Sequence, residues 1–444
     1  MTCLEQLAMA ENSEKRCKRT KTRKGETMEI QRQVYLDKLI RKEKNGLIKV
    51  VTGRRRCGKS YLLFRLFQNY LLTHGVSLDH IISVALDDRT NKEFRDPDRR
   101  LSYVKNRIRD DKEYYVILDE VQYLNEFEDV LNSLLHIPNA DVYVTGSNSK
   151  FLSSDVITEF RGRGDEIHVY PLSFSEIVSA YPGDKDIAFD DFLTYGGLPQ
   201  VLTRENSGDK EEYLESLFQK VYLSGILERH RIQSRVELDE LLDVLASGIG
   251  SYTNETKLSH TFMSVKGKKI TDKTIKNYIS YLRDSFLINR AVRYDIKGKK
   301  YIGSLSKYYF EDVGLRNACL GFRQVEQNHL RENIIFNELR NRGYHVDIGI
   351  VEKYGPGKEK TRSKKQLEID FVATRGSEKY YIQSAFALPD SDKVSQEKRG
   401  LLDIPDSFRK IIVVGDKIRP KHDENGITRI GIENFLLDPN SLNL

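Results

Sequence analysis

The sequence predicts an α/β protein: a parallel sheet of the phosphate-loop type with a helical lid, then a helix-and-hairpin module, then a second α/β domain. Three observations carry that prediction. Short apolar runs alternate with helical stretches from Leu47 to about Pro171, a glycine-rich loop joins the first run to a helix, and mixed strand and helix return after about Lys307. Runs of this kind mark strands buried on both faces, with crossover helices between them. The expected divisions are a basic, disordered extension at 1–27, a nucleotide-binding domain with its lid at 28–205, a helical region with a winged helix-turn-helix at 206–306, and the last domain at 307–444.

At 444 residues the chain has room for roughly two to four domains. Apolar residues make up 39% and charged residues 31%, a globular balance with a heavily charged surface. No apolar run approaches the roughly 20 residues that cross a bilayer. The N-terminus lacks the apolar core of a secretory signal, so a cytoplasmic protein is expected. Cys3, Cys17, Cys57 and Cys319 form no C-x-x-C pair and have no histidines at metal spacing, which argues against a disulfide framework or a zinc site. With 72 basic and 66 acidic residues the net charge is only +6, so its distribution matters more than its sum.

Seven of the ten residues from Lys15 to Lys24 are Lys or Arg; a solvated tail is expected, with a nucleic-acid contact as the alternative. Met28 opens the patterned sequence and is an alternative start. LIKVVT (47–52), IISVAL (81–86), YYVILD (114–119), DVYVTG (141–146) and EIHVYPL (166–172) read as five buried strands.

Between the first strand and the helical run YLLFRLFQNYLL stands Gly53-Arg54-Arg55-Arg56-Cys57-Gly58-Lys59-Ser60, followed by Tyr61. This is the phosphate-loop pattern G-x-x-x-x-G-K-[ST] in the strand-to-helix setting it requires. Its glycines let backbone N–H groups turn toward phosphates, Lys59 suits the β and γ phosphates of ATP, and the Ser60 hydroxyl suits Mg²⁺. Asp119 and Glu120 end the third strand, at the sheet edge where ligands bind in such folds. Asp119 is expected in the Mg²⁺ shell and Glu120 as the group that orients or deprotonates the attacking water. The fourth strand ends in Thr145-Gly146-Ser147-Asn148, which either senses the γ phosphate or forms a plain turn.

The stretches GLIKVVTGRRRCGKSYLL, YYVILDEVQYL, VTGSNSKFLSSDVITEFRGRG, VYPLSFSEI, TYGGLP and KYYFEDVGLRNA, in that order, resemble prokaryotic AAA+ type ATPases with a C-terminal restriction-endonuclease-like domain of unknown function. The resemblance covers about Met28 to Leu437. It implies a P-loop NTPase fold, Ser147 or Asn148 as first sensor, and Arg163 as an arginine finger reaching a neighbouring subunit, hence a homo-oligomer. A guanidinium is suited to charge on a transferring phosphoryl group; the alternative for Arg161 and Arg163 is a solvated loop charge. Tyr195-Gly196-Gly197-Leu198-Pro199 resembles the lid element.

From Lys266 to Lys300 there are eleven Lys or Arg and three Asp. TDKTIKNYISYLRDS sets Ile275, Tyr278, Ile279 and Leu282 on one helical face and Lys273, Thr274, Lys276 and Asn277 on the other. LINRAVRYDIKGKKYIG alternates like a hairpin, with Lys297, Lys299 and Lys300 at its turn. A helix followed by a basic hairpin has the form of a winged helix, and contact with double-stranded DNA through Lys273, Lys276, Asn277, Lys299 and Lys300 is expected. An ordinary charged face or a protein-interaction module is the alternative.

In RENIIFNELRNRGYHV and LEIDFVATRGSEKYYIQSAFAL, Glu332 and Asp370 take the first carboxylate positions of the endonuclease-like pattern. The final Glu-x-Lys is replaced by Gln383-Ser384-Ala385. A glutamine carbonyl can ligate a metal without bringing charge, and alanine cannot act as the lysine; Glu368 or Lys379 are conceivable substitutes that no spacing demands. The expectation is a degenerate domain that binds nucleic acid or a partner. An ATP-gated nuclease and a slow nucleotide-dependent switch are the rival functions. Arg54, Arg55 and Arg56 either add potential near the γ phosphate or, as expected, pair with acidic groups on a facing domain.

Overall fold

The computed structural model describes residues 29–146, 162–181, 183–232, 234–267, 270–356, 362–386 and 391–444. The basic extension, Arg161 and the expected sensors Ser147 and Asn148 lie outside the described residues. The chain forms two units. The first holds the chain up to Leu172, with Leu198–Glu205 and Asp284–Phe286; the second holds Ser173–Gly197, Asn206–Arg283 and Leu287–Leu444. No described helix is long and apolar enough to cross a membrane.

The first unit is built on β1 (Ile48–Thr52), β2 (Ile81–Ala85), β3 (Tyr114–Asp119), β4 (Ala140–Thr145) and β5 (Gly164–His168), an all-parallel sheet in the order β2-β3-β4-β1-β5. Adjacent strand residues serve opposite faces, as the pleat requires. Val50, Val116 and Leu118 pack with α3 (Pro97–Arg107) and α4 (Phe127–Leu134). Val51, Tyr115 and Ile117 pack with α1 (Gln33–Arg41) and α2, which starts at Lys59–Tyr61, is π-wound over Leu62–Phe67 and ends in Gln68–Thr73. Four of the five expected strands match within a residue or two. The fifth starts earlier and stops at His168, because only the Val169 N–H continues the ladder, to the Thr52 carbonyl at 2.9 Å, before Pro171.

The second unit holds helices α5 (Phe174–Ala180), α6 (Lys185–Tyr195), α7 (Ser207–Leu217), α8 (Ser224–His230), α9 (Arg235–Ser247), α10 (Glu255–Lys266), α11 (Asp272–Asp284), α12 (Val313–Cys319) and α13 (Gln327–Asn341). Its eight-stranded sheet is made of β6 (Ile288–Asp295), β7 (Lys300–Phe310), β8 (His345–Pro356), β9 (Arg362–Arg375), β10 (Glu378–Ala385), β11 (Arg409–Val414), β12 (Lys421–His422) and β13 (Ile427–Gly431), in the order β12-β13-β11-β10-β9-β8-β6-β7. The hairpin of β6 and β7 is its outer pair, and Arg293–Asp295 run parallel to residues 348–350 of β8. The division expected at 306/307 therefore falls inside β7, and the hairpin shares a sheet with the C-terminal strands. Of the lid segment, Tyr195 to Gly197 group with this unit and Leu198 and Pro199 with the first. Asp312 accepts the Gly197 N–H at 2.8 Å, and the Asn317 amide donates to the carbonyls of Leu193 and Thr194 at 3.1 and 2.8 Å. All of that polar cluster is buried, so TYGGLP and EDVGLRNA, distant in sequence, hold one another in place.

Candidate functional site

Burial of β1 on both faces ends the strand at Thr52, and the next six residues form a loop whose geometry only glycine allows at two points. Gly53 has φ 130° and Gly58 φ 101°, and a Cβ on Gly53 would collide with the Val169 carbonyl oxygen. Such positive φ values are costly for other residues. Lys59 is buried, and its ammonium donates to the Gly53 and Arg54 carbonyls, both at 2.9 Å, so the loop itself holds the charge at its mouth. Cys57 is fully buried with its thiol on the Val169 carbonyl at 3.3 Å, Tyr61 packs at the core margin, and Ser60 is exposed.

The three arginines part company. Arg54 is fully buried and donates to the Phe286 carbonyl within the same unit, Arg55 is half-buried, and Arg56 is exposed with φ 66°. One of the bonds that hold this buried guanidinium is therefore to a backbone carbonyl of its own unit.

Ser60, Asp119, Glu120 and Thr145 converge at the C-terminal edge of the sheet. The Thr145 hydroxyl donates to Asp119 and accepts the Glu120 N–H at 2.9 Å. The Ser60 side chain lies close enough to favour the ionised Asp119 carboxylate, but burial outweighs it and pushes that carboxyl up to about 6. Glu120 has φ 51° and ψ 52°, a left-handed conformation that side chains rarely adopt without local support. Gln122 donates to its carboxylate. Asp119 and Ser60 are hard oxygen donors of the kind Mg²⁺ takes one or two of from a protein; among the described residues no group of three or more His, Cys, Asp or Glu is set to hold a metal alone.

Arg163 is not part of this constellation. It is exposed and its carbonyl accepts the Ile48 N–H at 2.9 Å, so it sits where β1 and β5 begin, about 16 Å of strand from the phosphate loop at ~3.3 Å per residue. Sequence reasoning missed Arg32, buried beside the loop, which donates to the Cys57 and Tyr170 carbonyls at 2.8 and 2.7 Å. Nothing in its polar surroundings EIQRQ marks it.

Residues 45–178 match an AAA domain (AAA_14), and residues 187–326 match a domain of unknown function (DUF8612). An uncharacterised protein of Haemophilus influenzae is 32% identical over 414 residues, spanning 92% of this chain and 98% of that protein. This chain belongs to that protein's family and carries an AAA domain. An uncharacterised protein of Methanocaldococcus jannaschii is 27% identical over 369 residues, 79% of this chain and 77% of its own. Among solved structures, the ADP form of the Aeropyrum pernix ORC2 protein overlaps 69% of this chain and 95% of its own, at 11% identity and TM-score 0.33. AMPPCP-bound DnaA from Aquifex aeolicus overlaps 57% and 88%, at 15% identity and TM-score 0.29. Overlaps at those scores decide nothing about partners.

Outside the AAA domain, two further expected groups of residues can be followed. On α11 (Asp272–Asp284), preceded by α10 (Glu255–Lys266), Ile275, Tyr278, Ile279 and Leu282 are buried while Lys273, Lys276 and Asn277 face outward. Lys297, Lys299 and Lys300 are exposed at the β6–β7 turn, where Lys299 has φ 49°.

The other group is a carboxylate cluster. Glu332 on α13 (Gln327–Asn341), with Glu368 and Asp370 on β9 (Arg362–Arg375), surround the ammonium of Lys307 from β7; the ion pairs to Glu332 and Glu368 measure 3.0 and 2.7 Å. The Tyr309 hydroxyl donates to Glu332 at 2.6 Å, and the Asp370 carboxylate accepts the Ser384 N–H at 2.7 Å. The side chain of Gln383, on β10 (Glu378–Ala385), accepts the Asp370 N–H at 3.4 Å. Neither conceivable substitute acts as the missing lysine: Lys379 lies over the Phe408 ring at 4.9 Å, and Glu368 pairs with Lys307. The sequence could not show that Lys307 pairs with Glu332 and Glu368, because only the tertiary fold brings β7 near β9 and α13.

Proposed function

We propose that the protein is an ATP-binding, Mg²⁺-dependent ATPase whose nucleotide state controls how its second unit engages double-stranded DNA or a protein partner. The meeting of Ser60 with Asp119, beside Lys59 and directly before Glu120, carries this reading. Gly53 to Tyr61 cradle the phosphates and Lys59 leaves the loop carbonyls for the β and γ oxygens. Ser60 and Asp119 would hold Mg²⁺, which neutralises phosphate charge when bound. Glu120 takes a proton from the attacking water. Arg163 contributes in trans, so turnover per subunit rises with protein concentration; Ser147 or Asn148 is the sensor.

Coupling to the second unit is supported by connectivity: the chain passes between the units five times, at 172/173, 197/198, 205/206, 283/284 and 286/287. Lys273, Lys276 and Asn277 would lie along one groove of the duplex, with Lys299 and Lys300 on adjacent phosphates. The cluster of Glu332, Asp370 and Gln383 is read as catalytically silent, since Lys307 already pairs with Glu332 and with the neighbouring Glu368.

Steady-state ATPase assays of the wild type, Lys59→Ala and Glu120→Gln test the proposal. Turnover that both substitutions abolish is expected; tight ATP binding with negligible wild-type turnover would instead identify a nucleotide-dependent switch. Incubation with plasmid, Mn²⁺ and ATP is expected to leave the DNA intact. Cleavage lost in Asp370→Ala would overturn the silent reading.

A further inference from the structure

The polypeptide that follows Glu120 is as constrained as the phosphate loop. Glu120 holds a left-handed backbone fixed by two bonds: its N–H to the Thr145 hydroxyl at 2.9 Å, and the Tyr123 N–H to its carbonyl at 3.0 Å. The backbone thus aims the side chain away from the strand direction, but a glutamate has three further torsions. What limits them is Gln122, the middle residue of the turn Val121–Tyr123, whose amide nitrogen donates to the Glu120 carboxylate.

The other end of that amide is the informative one. Gln122 Oε1 is buried and accepts a hydrogen bond from none of the described residues. Flipping the amide would not help, since it would set the carbonyl against the carboxylate. A buried amide oxygen without a donor is costly and rare in folded proteins, and this one adjoins the group that receives the water's proton.

We propose that Gln122 is the positioning residue of the ATPase reaction: its amide nitrogen orients the Glu120 carboxylate, and its carbonyl oxygen is the second acceptor for the attacking water. The inference rests on the ATPase reading above. A water offering one O–H to Glu120 and the other to Gln122 has its orientation fixed, and a lone pair is left for the γ phosphorus. As the new P–O bond forms, the bond from the γ phosphorus to the β,γ-bridging oxygen breaks and its electron pair leaves with ADP. One water proton passes to Glu120 and then to solvent; the other stays on inorganic phosphate. Positioned water of this kind is a general requirement of phosphoryl transfer.

Gln122→Met keeps the side-chain length and removes both polar ends. The expected result is a kcat lower by about 10- to 100-fold, a share of the effect general-base catalysis carries, with KM for ATP unchanged within about two-fold. Gln122→Asn, one methylene short but with both polar ends, recovers part of the rate. Because one end of Gln122 acts through Glu120 and both groups hold the same water, Glu120→Gln combined with Gln122→Met loses less than the product of the two single losses. A Gln122→Met enzyme with wild-type kcat overturns the proposal, as does a loss confined to ATP affinity or a double variant whose losses multiply. Gln122→Ala, with equilibrium ATP binding measured alongside, repeats the test if methionine disturbs the fold. Wild-type turnover no greater than that of Glu120→Gln sinks the ATPase reading itself and this role with it, a result distinct from a normal wild type and an unaffected Gln122 variant.

Discussion

Replacing Lys307 by methionine removes the one cation that, among the described residues, pairs with Glu332 and Glu368, while filling most of its volume. Lys307 is 5% exposed, and its partners lie at 3.0 and 2.7 Å. Each contact is worth up to about 6 kcal/mol at an effective dielectric of 20, before the cost of desolvation. Removing one partner of a buried ion pair costs about 3–5 kcal/mol, because the other charge stays buried. The Glu368 side chain is 33% exposed and recovers hydration, which sets the expected loss at the lower end, about 3 kcal/mol. For a unit of this size that lowers Tm by about 6–12 °C at ~2–4 °C per kcal/mol.

The chain has no tryptophan, so the melt is followed by far-ultraviolet circular dichroism or calorimetry. In the wild type the carboxylates hold the Lys307 ammonium above its ordinary pKa. Its contribution is therefore complete below the unfolded lysine pKa, about 10.4, and does not change between pH 5 and 9. Burial and the Glu332 charge hold the Asp370 carboxyl well above its usual range even with the lysine present, and removing Lys307 raises Asp370 further. A carboxyl raised in the fold destabilises once it is ionised, so the variant's deficit is largest at neutral pH and narrows as pH falls toward 4. A variant melting within about 2 °C of wild type at pH 7.5, or a deficit that does not shrink on acidification, would refute the assigned role of Lys307.

Other outcomes follow from the same geometry. Burial pushes the Asp119 carboxyl up to about 6, so Mg²⁺-dependent nucleotide binding, followed by fluorescent ATP, is expected to weaken as pH falls through 6. Asp141→Asn leaves Lys49, which has no exposed surface and pairs with Asp141 inside the sheet, without its countercharge. A loss of about 3–5 kcal/mol is expected in urea unfolding. Changing Lys299 and Lys300 together to alanine should reduce the log–log salt slope of duplex binding by about 2; an unchanged slope excludes the hairpin from the DNA contact.

What could be seen in the sequence depended on how local its cause is. Gly53 to Ser60 and Asp119-Glu120 are set by a strand, a turn and a helix start, all written within about ten residues, so motif and periodicity suffice. The buried face of α11 is legible for the same reason, since Ile275, Tyr278, Ile279 and Leu282 recur at helical spacing. The grouping of the β6–β7 hairpin with the C-terminal strands is decided by pairing between Arg293–Asp295 and residues 348–350, which no local pattern encodes. Arg32, Gln122 and Lys307 were hidden likewise: each acquires its chemistry from a neighbour's carbonyl, a turn's conformation or a strand brought in by the sheet.

The two carboxylate groups of this protein answer the same electrostatic problem in opposite ways, and the contrast bears on where an external cation acts. Asp119 is buried, yet the Thr145 hydroxyl that donates to it and the Ser60 side chain near it are uncharged, while Lys59 is engaged by carbonyls. Burial, only weakly offset by those partners, pushes its carboxyl up to about 6, a demand for charge that the proposed Mg²⁺ would relieve. Glu332 and Glu368 instead share an ammonium that the fold delivers on its own strand. A metal ion there would have to displace a lysine with almost no access to water. Cation-dependent chemistry is therefore favoured in the AAA domain, where the demand for charge is left open, and disfavoured in the second cluster, where the chain already supplies it.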